Sequence, residues 1–179
     1  MLKNFYPNGY AKSVFDVDFQ KLYDMGYKAI IFDVDNTLVH HGDSSNDDVD
    51  NLFRDIHKIG LKTLLLSNND SARLERFCKN INTLYIPDAQ KPNIDGYIKA
   101  LNMLNVKNTE AIYIGDQIFT DIYGANKSKI DSILVHFIQI DVNEKIGIKR
   151  HIEKIILYFY KFNKKQQKLN NVINGVTYE

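Results

Sequence analysis

Two aspartates on alternate positions, Asp33 and Asp35, follow directly on the apolar run at residues 29–32. Two like charges held close together repel each other and shift each other's pKa. Such pairs usually persist where they bind a metal or take part in chemistry. The pair is therefore the leading candidate for a functional site, with two solvated strand-end aspartates as the alternative.

Three further polar clusters follow apolar runs later in the chain. Ser67 and Asn68 follow the second run, Lys91 lies just beyond the third, and Asp116 follows the fourth with Asp121 close behind. Clustered carboxylates bind a hard cation such as Mg²⁺, and a hydroxyl with a lysine suits phosphoryl oxygens. If these runs are parallel strands, their carboxyl ends bring the groups together, and they form a phosphoryl-transfer site with an aspartate as nucleophile. The alternatives are a helix cap for Ser67 and a solvated surface lysine for Lys91.

The elements that must position these residues alternate along the chain. Hydrophobic periodicity and turn residues predict strands at 28–33, 61–66, 84–86, 111–114 and 132–137, and helices at 46–59, about 70–80, 93–104 and 119–127. Strands that alternate with helices predict a three-layer α/β/α Rossmann-like fold with a central parallel sheet. We expect one domain over residues 1–165 and a flexible C-terminal tail at 166–179.

The composition excludes several classes of protein. The 179 residues are 44% hydrophobic and 25% charged with a formal net charge of +1, so nucleic-acid binding by bulk charge is not expected. The single cysteine, Cys78, excludes an intrachain disulfide and fits a reducing compartment. No stretch approaches the roughly 18 apolar residues of a membrane span, and the N-terminus lacks the apolar core of a signal peptide. We therefore expect a cytoplasmic protein.

The four clusters resemble, in order, the four motifs of the haloacid dehalogenase (HAD) phosphohydrolases. The matching residues are Asp33-x-Asp35-x-Thr37-Leu38, Ser67, Lys91 and Gly115-Asp116-x-x-x-x-Asp121. The chain is identified as a member of the YqeG-type group of class IIIA HAD phosphatases. That group is matched over about residues 1–165 by Phe32-Asp33-Val34-Asp35-Asn36-Thr37-Leu38-Val39, Leu66-Ser67-Asn68-Asn69, Lys91-Pro92 and Gly115-Asp116-Gln117-x-x-Thr120-Asp121.

The resemblance implies a role for each aspartate of the first motif. Asp33 would attack phosphorus and form an aspartyl-phosphate, and Asp35 would protonate the leaving alkoxide and then take a proton from water. The acid role requires a raised pKa for Asp35, which a neighbouring Asp33 carboxylate would favour.

The resemblance also implies a metal site and a phosphate site. Mg²⁺ would be held by the Asp33 carboxylate, the Asp35 backbone carbonyl and the Asp116 side chain, with Asp121 supporting it indirectly or through water. The phosphoryl oxygens would be bound by Ser67, the Asn68 amide and Lys91. We expect Thr37 to be structural and Thr120 to cap a helix.

The spacing of the motifs leaves no room for a large cap domain. The stretch from Asp35 to Ser67 holds a short flap and one helix, and the stretch from Ser67 to Lys91 holds one helix and one strand. We therefore expect an open site that accepts a phosphate on something large. His40 and His41 fit a solvated flap better than a metal site, because adjacent side chains diverge.

The segment at residues 148–168 combines an apolar stripe with basic and aromatic side chains. Ile148, Ile152, Ile155, Ile156 and Phe159 fall at helical spacing, surrounded by Lys and Arg. A last helix that covers the sheet is the favoured interpretation, since apolar stripes usually face a core. Peripheral contact with an anionic membrane, at its inner face, is the alternative.

The predicted function is a Mg²⁺-dependent phosphatase for a phosphate monoester. YqeG-type proteins are similar to eukaryotic phosphatases of phosphatidylglycerophosphate, so a lipid headgroup is one candidate substrate. The alternative is a soluble phosphatase for a nucleotide, a sugar phosphate or a phosphoprotein. Alternatives of another class are a phospho-accepting signalling domain and a non-catalytic binding domain, although every catalytic position is retained.

Overall fold

A parallel sheet of six strands forms the centre of the part of the chain that the computed structural model describes, residues 2–138 and 147–175. Its strand order is β1-β6-β5-β2-β3-β4, and every neighbouring pair is parallel. The strands are β1 Gly9–Ala11, β2 Ala29–Phe32, β3 Lys62–Leu66, β4 Leu84–Ile86, β5 Ala111–Gly115 and β6 Asp131–Val135. The helices are α1 Phe19–Asp24, α2 Asp47–Ile59, α3 Ser71–Phe77, α4 Ile94–Leu104, α5 Tyr123–Lys127 and α6 Ile148–Tyr160.

Strand β2 is buried on both faces, which explains its uninterrupted apolar sequence. Ile30 and Phe32 pack in one hydrophobic cluster with residues of α1, α2 and α3. Ala29 and Ile31 face the opposite side and pack with residues of α4 and α5. The alternation of side chains along the strand therefore produces the predicted α/β/α layering. Within the described residues no inserted cap domain covers the carboxyl edge of the sheet.

Helix α2 shows how local signals set the element boundaries. The Asn46 side chain accepts a hydrogen bond from the backbone N–H of Val49. Three aspartates in the first turn interact favourably with the positive end of the helix dipole. Gly60, with φ of 102°, ends the helix in a left-handed conformation that suits glycine. These are the boundaries that the sequence predicts.

The elements differ from the sequence-based prediction at the edges. Strand β1 lies in a segment without a strand prediction and pairs with β6 at the sheet edge. Strand β6 ends at Val135, two residues before the predicted Phe137. The predicted helix at 119–127 begins as a π-helical turn at Ile118–Ile122 and continues as α5.

The C-terminal residues 169–173 pack into the core. Leu169, Val172 and Ile173 are buried and belong to the same cluster as Phe32. The backbone N–H of Leu169 donates to the Asn8 carbonyl over 2.9 Å. The prediction of a flexible tail from residue 166 is wrong for these residues, because their apolar side chains cover β1. Residues 176–179 of that prediction lie outside the described part of the chain.

Candidate active site

Three buried carboxylates meet at the carboxyl edge of the sheet. Oxygens of Asp33, Asp116 and Asp121 lie within 4.8 Å of one another. Asp33 follows β2 and Asp116 follows β5, and these two strands are neighbours in the sheet. Hard cations such as Mg²⁺ prefer carboxylate oxygens, so the donor set fits a divalent metal. We call these three residues the acidic cluster.

The side chain of Lys91 bridges two members of the acidic cluster. Its Nζ donates to Asp33 Oδ1 over 2.5 Å and to Asp121 Oδ1 over 2.8 Å, and lies 3.0 Å from the Tyr113 hydroxyl. Burial disfavours the charged ammonium, but the carboxylates of Asp121 and Asp33 hold the pKa of Lys91 above its ordinary value. Lys91 is therefore a buried cation beside the predicted nucleophile, and the interpretation as a solvated lysine is excluded.

The acidic cluster is electrostatically strained. Burial raises the pKa of Asp33, and the charge of Asp121 raises it further, whereas the charge of Lys91 lowers it. Burial likewise raises the pKa of Asp116, and the charges of Asp33 and Asp121 add to the effect. Carboxylates whose ionised form is this unfavourable gain most from a bound cation.

Asp35 lies in a different environment from Asp33. Its carboxylate accepts hydrogen bonds from the Gly42 backbone N–H (3.1 Å), the Arg73 guanidinium (2.8 Å) and the Asn69 amide (2.6 Å). Burial acts in the opposite direction, but these bonds lower the pKa of Asp35 below its ordinary value. The prediction of a raised pKa is wrong for this structure, because the side chain faces donors from α3 and the flap instead of the acidic cluster. Metal binding by its backbone carbonyl stays a prediction.

Ser67, Asn68 and Asn69, which follow β3, form hydrogen bonds to one another and to the backbone of Lys91. Ser67 Oγ is buried and accepts hydrogen bonds from the Asn69 backbone N–H (3.2 Å) and side-chain amide (3.0 Å). Asn68 Oδ1 accepts from the Lys91 backbone N–H over 2.7 Å. The Asn68 side chain therefore positions Lys91, and the phosphate contacts predicted for Ser67 and Asn68 stay predictions.

The Asp121 side chain packs directly against the backbone of Gly115 at the end of β5. A Cβ on Gly115 would lie 2.6–2.7 Å from side-chain atoms of Asp121, so a larger residue there would displace this carboxylate. Asp121 Oδ2 also accepts from the Gln117 backbone N–H over 3.0 Å. The glycine of the fourth motif thus has a steric role in the site.

Two threonines of the motifs occupy different positions. Thr37 Oγ1 lies 3.2 Å from Asp33 Oδ2 and 3.4 Å from Asp116 Oδ1, between two members of the acidic cluster. The Thr120 hydroxyl donates locally to Gln117 Oε1 over 3.3 Å. Thr37 therefore contributes a polar contact within the site, and Thr120 stabilises its own turn.

The flap after the first motif, residues 40–43, contacts Asp35. His41 is exposed and its Nδ1 lies 3.2 Å from Asp35 Oδ2, while the Asp43 carbonyl accepts from Arg73 over 2.6 Å. Asp35, Arg73 and the flap thus form one hydrogen-bonded unit. Among the described residues the histidines of the flap belong to no cluster of metal-ligating side chains.

Sequence reasoning missed two arginines of the site. Arg73 lies in the first turn of α3, directly after the strand end that carries Ser67, and that position was a signal that could have identified it. Arg150 forms an ion pair with Asp116 from α6, 34 positions away in sequence. No local pattern distinguishes it from the other basic residues of that helix.

Known proteins are similar to this chain in sequence and in fold. The family model described as haloacid dehalogenase-like hydrolase matches residues 41–128. The relative named "Probable phosphatase YqeG" from Bacillus subtilis (strain 168) is 30% identical over 137 residues, which are 75% of this chain and 80% of the relative.

Two solved structures share the fold at low sequence identity. An uncharacterized protein from Listeria monocytogenes serotype 4b has a TM-score of 0.54 at 17% identity and covers 75% of this chain and 99% of its own. A hypothetical protein from Xanthomonas campestris has a TM-score of 0.50 at 12% identity, with 83% and 90% covered.

The similarity to the Bacillus relative extends over most of both chains. The chain therefore belongs to the haloacid dehalogenase-like hydrolases. Within this family it is a phosphatase of the YqeG type.

Proposed function

We propose that this phosphatase hydrolyses a phosphate monoester through an aspartyl-phosphate on Asp33, with Mg²⁺ bound at the acidic cluster. The observation that carries the proposal is the position of Asp33, buried between Lys91 and two further carboxylates at the sheet edge. Lys91 beside this carboxylate, together with a metal held by the acidic cluster, would provide the positive charge that a phosphoryl group requires. A receiver-type signalling domain is disfavoured because both aspartates of the first motif follow one strand.

The two steps use the aspartates of the first motif in turn. An Asp33 oxygen forms a bond to phosphorus while the bond to the leaving oxygen breaks, and the leaving oxygen takes a proton from Asp35, which must enter this step in its protonated form. Water then attacks phosphorus, the bond to Asp33 breaks, and Asp35 takes a proton from the water. The hydrogen bonds that lower the pKa of Asp35 favour its second role, as the proton acceptor, and oppose its first role, as the proton donor.

The acidic cluster would hold the metal through Asp33 and Asp116, with Asp121 and Lys91 behind them. When bound, Mg²⁺ supplies positive charge to the phosphoryl oxygens. Lys91 keeps Asp33 and Asp121 in place through its two ion pairs. Ser67, whose hydroxyl lies at the end of β3, is assigned to the phosphoryl group.

Metal removal tests this proposal. Treatment with EDTA is expected to reduce hydrolysis of an aryl phosphate to background, and excess Mg²⁺ should restore it. Mg²⁺ should also raise the unfolding temperature of the metal-free protein, since it binds the folded state only. Circular dichroism before and after EDTA checks that the fold persists. Full activity in EDTA, with no thermal shift on adding Mg²⁺, would contradict the metal assignment.

A cleft beside the acidic cluster gives room for the rest of the substrate. It has a volume of about 620 Å³ and lies along β1, β6 and α6. Its wall includes Asp116 and Arg150, the apolar residues Leu134 and Leu157, and the basic residue Lys154. This mixed lining suits a phosphorylated molecule with a further anionic group. Hydrolysis of lipid, nucleotide and sugar phosphates at saturating Mg²⁺ separates the candidate substrates.

The outer face of α6 favours a substrate at a membrane surface. Ile148, Ile152, Ile155 and Phe159 recur at helical spacing and are 81%, 44%, 58% and 53% exposed. Exposed lysines flank this stripe, so its charge complements an anionic lipid surface. In the described part of the chain, no helix has the length and apolar character to cross a bilayer. We infer peripheral binding through this outer face, with a lipid headgroup as substrate.

Point substitutions on α6 test the membrane proposal better than truncation, because residues 169–173 belong to the core. Ile152→Asp with Phe159→Asp should lower sedimentation with phosphatidylglycerol vesicles at least about tenfold, through lost apolar insertion and added negative charge. Ile98→Asp is the control, since Ile98 is 46% exposed on α4. Equal sedimentation of all forms, or no sedimentation of the parent, would rule out this surface.

A further inference from the structure

A single guanidinium from α6 contacts Asp116 at two points. Arg150 Nη1 donates to the Asp116 backbone carbonyl over 2.6 Å, and Nη2 donates to Asp116 Oδ2. The Asp116 side chain is fully buried and the Arg150 side chain is 18% exposed. A planar fork bound to both the main chain and the carboxylate of one residue restricts the rotation of that carboxylate.

Glu153, one turn further along α6, holds the arginine and the loop after β5. Its Oε2 accepts from Arg150 Nη1 over 3.0 Å, and its Oε1 accepts from the Ile118 backbone N–H over 2.7 Å. Glu153 is 6% exposed, although glutamate is rarely buried without partners. The helix therefore contacts both ends of the 116–118 turn through paired, buried polar groups.

The two oxygens of Asp116 have different partners. Oδ2 accepts from Arg150, whereas Oδ1 lies 3.4 Å from Thr37 Oγ1, which in turn lies 3.2 Å from Asp33 Oδ2. With Oδ2 bound to Arg150, Oδ1 is the oxygen on the side of Thr37, whose hydroxyl also contacts Asp33. Carboxylates that bind metals are commonly oriented by hydrogen bonds of this kind.

The charge of Arg150 also matters for the acidic cluster. Lys91 forms ion pairs with Asp33 and Asp121, and Arg150 forms the ion pair with Asp116. Without Arg150, Asp116 would face two other carboxylates with no cation of its own among the described ion pairs. A carboxylate in that position would be repelled by its neighbours and turn away from them, and the acidic cluster would lose a metal ligand.

We propose that Arg150 is a positioning residue that sets the orientation of the metal ligand Asp116, with Glu153 holding it in place. Helix α6 is then a part of the active site that the four motifs do not contain. The inference rests on the proposed metal site. A competing role for Arg150, as a cation that occupies Asp116 in place of the metal, predicts the opposite change in affinity.

Calorimetric titration of the metal-free protein with Mg²⁺ separates these roles. Arg150→Met should weaken Mg²⁺ binding about 10- to 100-fold, the range usual for partners that orient metal ligands. Arg150→Lys, which keeps the charge but loses the fork, should recover part of the affinity. Lys149→Met is the control, because Lys149 is exposed at the adjacent position of α6. The Michaelis constant for Mg²⁺ should rise more than kcat falls.

The outcomes distinguish this inference from the proposed function. Unchanged or tighter Mg²⁺ binding in Arg150→Met would overturn the positioning role and leave the metal site intact. Absence of Mg²⁺ binding in the parent protein would overturn the metal site itself, and this inference with it. If Arg150→Met does not fold, Glu153→Gln provides the test, since it retains the shape of Glu153 and should weaken Mg²⁺ binding in the same direction.

Discussion

Asp33→Asn is expected to reduce hydrolysis of an aryl phosphate at least about 10³-fold at saturating Mg²⁺, a loss of the size seen when a nucleophile is removed. An amide oxygen is a poor nucleophile and a neutral metal ligand, so the substitution removes both roles proposed for Asp33. The fold should persist, because asparagine has nearly the same shape and its oxygen can still accept from Lys91, now 2.5 Å from Asp33 Oδ1. Initial rates with matched circular dichroism spectra measure the effect.

The control for this change is Asp55→Asn. Asp55 is exposed on α2 and forms a surface pair with Lys58, so its loss should leave the rate within about twofold. A phosphoryl group bound through an acid-stable, base-labile acyl linkage should form on the parent protein and be absent from Asp33→Asn. Retention of full activity in Asp33→Asn would refute the nucleophilic role.

Lys91→Met is expected to reduce activity about 10²- to 10³-fold, the usual cost of removing one charged donor from a phosphoryl or oxyanion site. It should also destabilise the metal-free protein by about 3 kcal/mol, because breaking a buried ion pair leaves an uncompensated charge. Lys91 has two such partners, Asp33 and Asp121. Steady-state rates and urea unfolding measure the two effects separately.

A second substitution separates the catalytic from the structural role of Lys91. Combining Lys91→Met with Asp121→Asn removes one of the two stranded carboxylates, so the double variant should regain part of the lost stability. It should not regain activity, since the phosphoryl group still lacks its lysine. Lys99→Met, at an exposed position of α4, controls for the type of change. Recovery of activity along with stability would show that Lys91 acts only by neutralising the buried carboxylates, with no direct role toward the phosphoryl group.

Much of this enzyme could be predicted from the sequence because its signals are local. An apolar run followed by Asp33 and Asp35 identifies a buried strand and its functional end, and parallel strands deliver their carboxyl ends to one edge. These rules predict the layers, the helix boundaries at Asn46 and Gly60, and the proximity of Asp33 to Lys91 and Asp116. The motif order then indicated the family that the Bacillus relative confirms.

The tertiary structure decided what depends on contacts between distant parts of the chain. The pKa of Asp35 is lowered because Arg73 and the flap surround it, whereas sequence proximity to Asp33 suggested the reverse. Leu169 is buried because it meets β1, although the surrounding composition is polar. The pairing of Arg150 with Asp116 spans 34 positions and has no periodic signature. Residue type and spacing determine the chemistry that can occur, but the electrostatic state of each group depends on its neighbours in space, which only the folded chain defines.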